Sequence, residues 1–257
     1  DSLFERALYQ ASVLEHLSAS SGGAMVILKS KADLEAFRVS RAEGEARVAG
    51  ILGLEGAHAL EADVANLDAL VEAGIRIIAP THFFDNAIGG SAHGVSKGGL
   101  TQLGKRLITM MEERSILLDL AHASSAVIDG AVEISTRPVI VSHTGVRGTC
   151  DNNRNLTDEQ IRKIASTGGV IGIGYWNTAV CGEDAASVAR AIMYTANLVG
   201  AQHVALGSDF DGAVPVPFDT TGLPLIVDAL LEQGMSEADI RLVMGENAFR
   251  VFAETLP

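Results

Sequence analysis

Two histidines of this chain each follow a short, strongly apolar segment. His122 ends the run Asp119-Leu120-Ala121-His122, and His143 stands in Ser142-His143-Thr144 directly after 138–141. Both segments are rich in Ile, Leu and Val and are bounded by turn-forming residues, which is typical of buried strands. Because one β–α–β step separates them, we expect adjacent parallel strands about 4.8 Å apart. At that spacing both imidazoles can bind one metal ion at about 2.0–2.1 Å.

Two carboxylates follow apolar segments of the same kind. Glu55 comes directly after 49–54, and Asp209 follows 204–207. A carboxylate in such a place is costly to bury unless a cation or a strong donor stabilises it. We therefore predict that Glu55 and Asp209 are metal ligands, and that Asp209 also acts as general base towards a metal-bound water. The structural alternatives are a Glu55 bonded to backbone amides and an Asp209 that only forms a turn or cap.

His82 and Arg154 complete the set of candidate site residues. His82 follows the apolar segment 75–80 and could donate a hydrogen bond to the oxyanion of a scissile carbonyl. Arg154 stands eleven residues after His143, and a guanidinium in an otherwise acidic site suits capture of a substrate carboxylate. A solvated loop arginine is the alternative. Of the other histidines, we expect His58 to support the ligands or to begin a helix, and the rest to lie away from the site: His16, His93 and His203.

Strand and helix patterns alternate along the chain. The predicted strands are 24–28, 49–54, 75–80, 116–120, 138–142, 169–175 and 203–208. The predicted helices are 2–19, 59–73, 99–114, 124–134, 157–167, 184–199 and 221–233. This alternation predicts a parallel sheet with right-handed crossovers in one domain over residues 1–257. The convergence of ligands at strand ends favours an α/β fold of the (β/α)8 TIM-barrel type. Seven strands are too few for that barrel, so we expect one or two strands upstream of Asp1; an open doubly wound sheet is the alternative.

Composition narrows the possible partners. The net charge is −13, from 32 acidic and 19 basic residues, whereas nucleic acids and anionic membranes require clustered Lys and Arg. We find no apolar run long enough for a transmembrane segment and no signal peptide, and we predict a cytoplasmic location. The two cysteines, Cys150 and Cys181, could form one disulfide, but in a chain of 257 residues we expect them reduced.

Taken together, these motifs resemble the membrane (renal-type) dipeptidase family, which are zinc peptidases of the amidohydrolase superfamily. The matching segments are Gly53-Leu54-Glu55-Gly56, Thr81-His82, Asp119-Leu120-Ala121-His122, Ser142-His143, Arg154-Asn155 and Gly207-Ser208-Asp209-Phe210-Asp211-Gly212. The segment 246–252 is similar to the closing helix of that family. The motifs occur in family order from about residue 25 to the end of the chain.

The resemblance implies two zinc ions per chain in the complete protein, bridged by Glu55 and by a hydroxide that attacks the peptide bond. By the same resemblance, His122 and His143 would bind the second zinc, and Asp209 would contact the first. His82 would polarise the carbonyl, and Arg154 would hold the terminal carboxylate of a dipeptide. Family members cleave dipeptides and commonly accept a D-residue at the C-terminal position, and the resemblance also favours a homodimer.

One family element is missing from this sequence. The family binds its first metal through a His-X-Asp pair upstream of the bridging glutamate, and this chain contains no His-X-Asp. We expect that pair, like the missing strands, upstream of Asp1. Two alternatives to a dipeptidase stay open here: an amidohydrolase acting on a cyclic amide or ester, and a non-catalytic homologue that binds a peptide-like ligand.

Overall fold

Strands and helices alternate through residues 2–257, the part of the chain that the computed structural model describes. The strands are β1 Met25–Ile27, β2 Val48–Gly50, β3 Leu52–Leu54, β4 Ile75–Ile78, β5 Leu117–Leu118, β6 Ile140–Thr144, β7 Val170–Ile173 and β8 Val204–Leu206. The helices are α1 Leu3–Ser20, α2 Lys31–Ala42, α3 Leu67–Glu72, α4 Gln102–Glu113, α5 Ser125–Ile134, α6 Asp158–Ser166, α7 Asn177–Val180, α8 Ala185–Val199, α9 Leu223–Glu232, α10 Glu237–Arg241 and α11 Asn247–Thr255. Short 3₁₀ turns precede α3, β8 and α9, and a π-helical turn joins α10 to α11.

All strand pairs are parallel, in the groups β1–β2, β3–β4–β5 and β6–β7–β8. The last two groups meet where Asp119 bridges Ile140 and the Leu120 N–H donates to the Ile140 carbonyl at 2.7 Å. The segment predicted as one strand over 49–54 is divided at Ile51: β2 pairs with β1, and β3 pairs with β4.

The predicted barrel is not closed. Within residues 2–257, no backbone pairing joins β8 to β1. A barrel needs a partner for both edges of its sheet, and here each terminal strand pairs on one side only. The architecture is therefore an α/β fold with open parallel sheets, so the prediction is confirmed for the fold class but not for a complete (β/α)8 barrel.

Strands β5, β7 and β8 are apolar on both faces, as expected for parallel strands covered by helices. Alternation sends one set of side chains into a large core with the helices and the other set into a smaller cluster on the opposite face. That smaller cluster contains one residue from each of β5 to β8 and Val251 of α11: Leu117, Ile140, Val170, Ala205 and Val251. The buried strands thus form a rigid base for the loops at their carboxyl ends.

The helices agree with most of the predicted boundaries. Thr157 caps α6 through its hydroxyl, which accepts from the Gln160 N–H, and Gln160 bonds back to complete a capping box. Helix α2 was not predicted, because its buried side is small and lies at Leu34 and Ser40 on an otherwise exposed helix. No helix among the described residues is both long and apolar enough to cross a membrane.

Candidate metal centre

Three side chains place their ligand atoms together at the carboxyl ends of the strands. Glu55 follows β3 directly, His122 lies just beyond β5, and His143 lies within β6. The Glu55 Oε1 atom is 3.0 Å from His122 Nε2 and 3.4 Å from His143 Nε2, and the two Nε2 atoms are 2.9 Å apart. Tetrahedral ligands at about 2.0–2.1 Å from zinc are separated by roughly 3.3 Å. The spacing therefore fits one metal ion held by all three residues.

The protonation states of the three residues also suit a metal. Burial acts to raise the pKa of Glu55, but the His122 hydrogen bond and the neighbouring imidazoles hold that pKa well below its ordinary value. Burial lowers the pKa of His122 and of His143, and Arg154 lowers both further. An ionised carboxylate and two neutral imidazoles are the forms that coordinate a metal.

The backbone at two of the predicted site residues is left-handed. His122 has φ 60° and Asp209 has φ 57°, a region that non-glycine residues seldom occupy. At Asp209 the turn also requires Gly212, because a Cβ there would collide with the Asp209 carboxylate.

Residues behind the metal group orient one of the two histidines. The Ser142 hydroxyl lies 2.9 Å from His143 Nδ1, so the bond fixes the ring with Nε2 facing Glu55. Buried Asp119 supports Ser142, since its Oδ1 accepts from the Ser142 N–H at 2.9 Å and from the Ala121 N–H at 3.0 Å. Burial raises the pKa of Asp119. His122 Nδ1 is buried and has no hydrogen-bond partner among the described residues.

Asp209 shares a cavity of about 410 Å³ with Glu55 and His143. Burial, together with repulsion from Glu55 and Asp211, raises the pKa of Asp209 to about 6, although Arg154 opposes this. A carboxylate with such a pKa both accepts and releases a proton near neutral pH. Asp209 also opens a turn, in which the Gly212 N–H donates to its carbonyl at 3.0 Å.

His82 and Arg154 lie on two sides of the metal group. His82 Nε2 is 3.6 Å from Glu55 Oε2, and its ring centroid is 4.5 Å from that of His122. Arg154 is not a solvated loop residue: Nη2 donates to the His143 carbonyl at 2.8 Å and Nη1 to Thr144 Oγ1 at 3.2 Å. Burial lowers the pKa of Arg154 to about 10, so it remains a cation at neutral pH.

His93, expected away from the site, lies beside it. Its ring centroid is 5.3 Å from His122 and 5.1 Å from Phe83, and burial lowers its pKa to about 4. The loop that carries it is folded around the Asp85 carboxylate, which accepts from the Ser91 and Ser96 N–H groups. The carbonyl of Ala92, next to His93, accepts from Asn153 Nδ2 at 2.9 Å. This loop is thereby joined to the loop of Arg154. Local sequence periodicity does not indicate the position of His93, because this position depends on the contact between Asp85 and Ser96, eleven residues further along the chain.

The two cysteines are bonded, contrary to the expectation that they are reduced. Cys150 and Cys181 form a disulfide with their Cα atoms 5.3 Å apart. The predicted loops carried no signal that they would meet, because the pairing depends on how the loops after β6 and β7 pack together. Asn152 strengthens the junction: its Nδ2 donates to the Thr178 carbonyl at 2.8 Å, and its Oδ1 accepts from the Arg154 N–H at 2.9 Å. The disulfide thus ties the Arg154 loop to helix α7.

Comparison with known proteins adds sequence and structural relatives. The family model for membrane dipeptidase (Peptidase family M19) matches residues 2–256. An uncharacterized protein in the pqqA 5′ region of Klebsiella pneumoniae is 30% identical over 258 residues, which covers 94% of this chain and 93% of that protein.

Two similar solved structures are peptidases. A metallopeptidase of Rhodobacter sphaeroides, liganded with a phosphinate mimic of the dipeptide L-Ala-D-Ala, is 27% identical with a TM-score of 0.84; the match covers 95% of this chain and 73% of that one. The dipeptidase AC, described as a metallopeptidase of family M19, is 26% identical with a TM-score of 0.86, over 96% of this chain and 74% of that one. The chain therefore belongs to the membrane dipeptidase family and is a metallo-dipeptidase with an amidohydrolase-type fold.

Proposed function

We propose that this chain hydrolyses the peptide bond of dipeptides with zinc held by Glu55, His122 and His143. The observation that carries the proposal is the convergence of these three ligand atoms beside a half-buried arginine. A donor set of two imidazoles and one carboxylate is common in catalytic zinc sites. When bound, zinc supplies a water of lowered pKa and stabilises negative charge on the carbonyl oxygen.

Arg154 binds the substrate in this proposal. Two of its donors are already held by the His143 carbonyl and by Thr144, which fixes the plane of the guanidinium. Its remaining N–H groups pair with the terminal carboxylate of the dipeptide. That pairing sets the scissile carbonyl beside the metal group, where His82 donates a hydrogen bond to the carbonyl oxygen.

Asp209 moves the proton. Its carboxylate accepts a proton from the attacking water as the new carbon–oxygen bond forms. It then delivers that proton to the amide nitrogen as the carbon–nitrogen bond breaks, so that the leaving group departs as an amine. Asp209 lies in the same cavity as Glu55 and His143, as this transfer requires.

Finer features of the function rest on the family resemblance. We propose that the chain would hold two zinc ions, with Glu55 and Asp209 also serving as ligands of the second ion, inside one (β/α)8 barrel domain. Tolerance of a D-residue at the C-terminal position is supported by the Rhodobacter sphaeroides peptidase, which was solved with a mimic of L-Ala-D-Ala.

The test is hydrolysis of L-Ala-L-Ala and L-Ala-D-Ala by the zinc-loaded protein, with the metal content measured in parallel. We expect turnover of both in the wild type. Asp209→Asn should abolish turnover while zinc at Glu55, His122 and His143 persists. Undiminished turnover in that variant would refute the proton-transfer role of Asp209. Zinc binding without any dipeptide hydrolysis in the wild type would refute the proposed function.

A further inference from the structure

A second cavity, of about 480 Å³, contains none of the residues assigned to the metal centre. We call it the side cavity; it is lined by Tyr175, Trp176, Asn177, Thr178, Glu183, Val214, Pro215, Val216 and Pro217. Its lining combines the loop that begins α7 with part of the loop after β8. Neither the predicted chemistry nor the family motifs give it a role.

Trp176 forms a common wall between the side cavity and the metal centre. Its ring centroid is 5.9 Å from that of His143, and the Arg154 Cζ lies 5.8 Å from the indole. Trp176 is itself buried, so its ring is fixed by packing. A substrate held between Arg154 and the metal group is therefore separated from the side cavity only by the width of the Trp176 ring.

The opposite wall of the side cavity packs against Tyr175, in the same loop as Trp176. Phe210 and Phe218 lie at the two ends of the segment that contains Val214–Pro217, and both rings pack against Tyr175, at 5.7 and 5.5 Å. Pro215 and Pro217 restrict the backbone between them. The cavity is thus held open by packing on Tyr175 before any ligand enters.

The residues that line the side cavity indicate which kind of chemical group fits it. Two aromatic rings, two valines and two prolines provide apolar contact, and Glu183 is the one charged group that lines the cavity in the described part of the chain. Glu183 Oε1 accepts a 3.4 Å hydrogen bond from Asn177 Nδ2, which holds it towards α7. An aliphatic chain with a cationic end matches aromatic walls and one carboxylate.

We propose that the side cavity receives the side chain of the C-terminal residue of the dipeptide and favours a basic side chain over an acidic one. The inference rests on the proposed function, because it places the terminal carboxylate on Arg154. The Cα that bears the carboxylate is also bonded to the nitrogen of the scissile amide. It therefore lies between Arg154 and the metal group, and its side chain extends along Trp176 into the cavity.

The test compares kcat/KM for Ala-Lys, Ala-Leu and Ala-Glu, each with an L and a D C-terminal residue. The wild type should prefer Ala-Lys to Ala-Glu. Glu183→Gln should lower that preference about threefold, as for a solvent-exposed charge pair, and Glu183→Lys should reverse it. Ala-Leu should change little in either variant. Glu232→Gln, the same charge change at an exposed position at the end of α9, should leave all ratios at wild-type values.

The outcomes separate the two proposals. If the wild type hydrolyses dipeptides with the same Lys-to-Glu ratio in all variants, the side cavity does not receive that side chain and the inference is wrong. If the wild type, loaded with zinc, hydrolyses none of the substrates, the proposed function is wrong and the inference falls with it.

Discussion

Replacing Arg154 with glutamine tests the substrate assignment most directly. The guanidinium makes two hydrogen bonds inside the protein, to the His143 carbonyl and to Thr144 Oγ1. At about 1.5 kcal/mol each, the lower value for a charged donor, their loss lowers the free energy of unfolding by about 3 kcal/mol. For a domain of this size that corresponds to a fall in Tm of about 6–12 °C. The variant should therefore remain folded at 25 °C.

The effect on catalysis is larger and depends on the substrate. Hydrogen bonds to a charged group contribute about 1.5–3 kcal/mol, so kcat/KM for a free-carboxylate dipeptide should fall about 10- to 150-fold. Because a dipeptide amide has no terminal carboxylate, its kcat/KM should differ little between the wild type and Arg154→Gln. The assay is release of the C-terminal product from Ala-Ala and from Ala-Ala-amide by both proteins. An equal fall for both substrates would show that Arg154 supports the fold of the site and does not bind the carboxylate. An unchanged rate for both would show that Arg154 does not bind the substrate carboxylate.

Four further predictions concern residues around the metal centre. Ser142→Ala removes the hydrogen bond to His143 Nδ1 and should weaken zinc binding about 10- to 100-fold, measured by chelator competition, with Ser166→Ala in α6 as control. The pKa of Asp209 is about 6 in the folded chain against an ordinary 3.8, so the metal-free protein should lose stability as pH rises from about 4 to about 6 and then level off. Thermal melts of Asp209→Asn should lack this fall, and a parallel pH profile in both proteins would contradict the assignment. His93→Ala should raise KM with little change in bound zinc, whereas His16→Ala in α1 should change neither. The Cys150–Cys181 disulfide spans 31 residues, so reducing it should lower the free energy of unfolding by about 3.7 kcal/mol. The measurement is a denaturant titration with and without reductant. Identical titrations would refute a stabilising role.

The metal group was predictable because its signals are local. Glu55, His122 and His143 each follow a strongly apolar segment of the sequence, and parallel strands direct their carboxyl ends to one edge. Two strand ends and a β–α–β step therefore determine that the side chains meet. The same reasoning placed Asp209 and His82 at this edge, and their catalytic roles stay predictions.

The features that were missed depend on contacts between distant segments. The position of His93 depends on a loop wrapped around Asp85, and the disulfide depends on packing between the loops after β6 and β7. Neither arrangement leaves a periodic pattern in the sequence. The division at Ile51 follows from a change of partner strand, which a continuous apolar run over 49–54 cannot show. The homodimer and the cytoplasmic location also stay predictions.

The left-handed backbone at His122 and Asp209 separates what the fold prefers from what the chemistry requires. A residue with a Cβ costs about 1–2 kcal/mol in that conformation, and glycine avoids this cost. Selection for backbone stability alone would therefore drive both positions towards glycine. In the roles we propose for them, the imidazole and the carboxylate at these positions would reduce backbone stability in exchange for activity, and the buried strands beneath them supply the stability that offsets this cost.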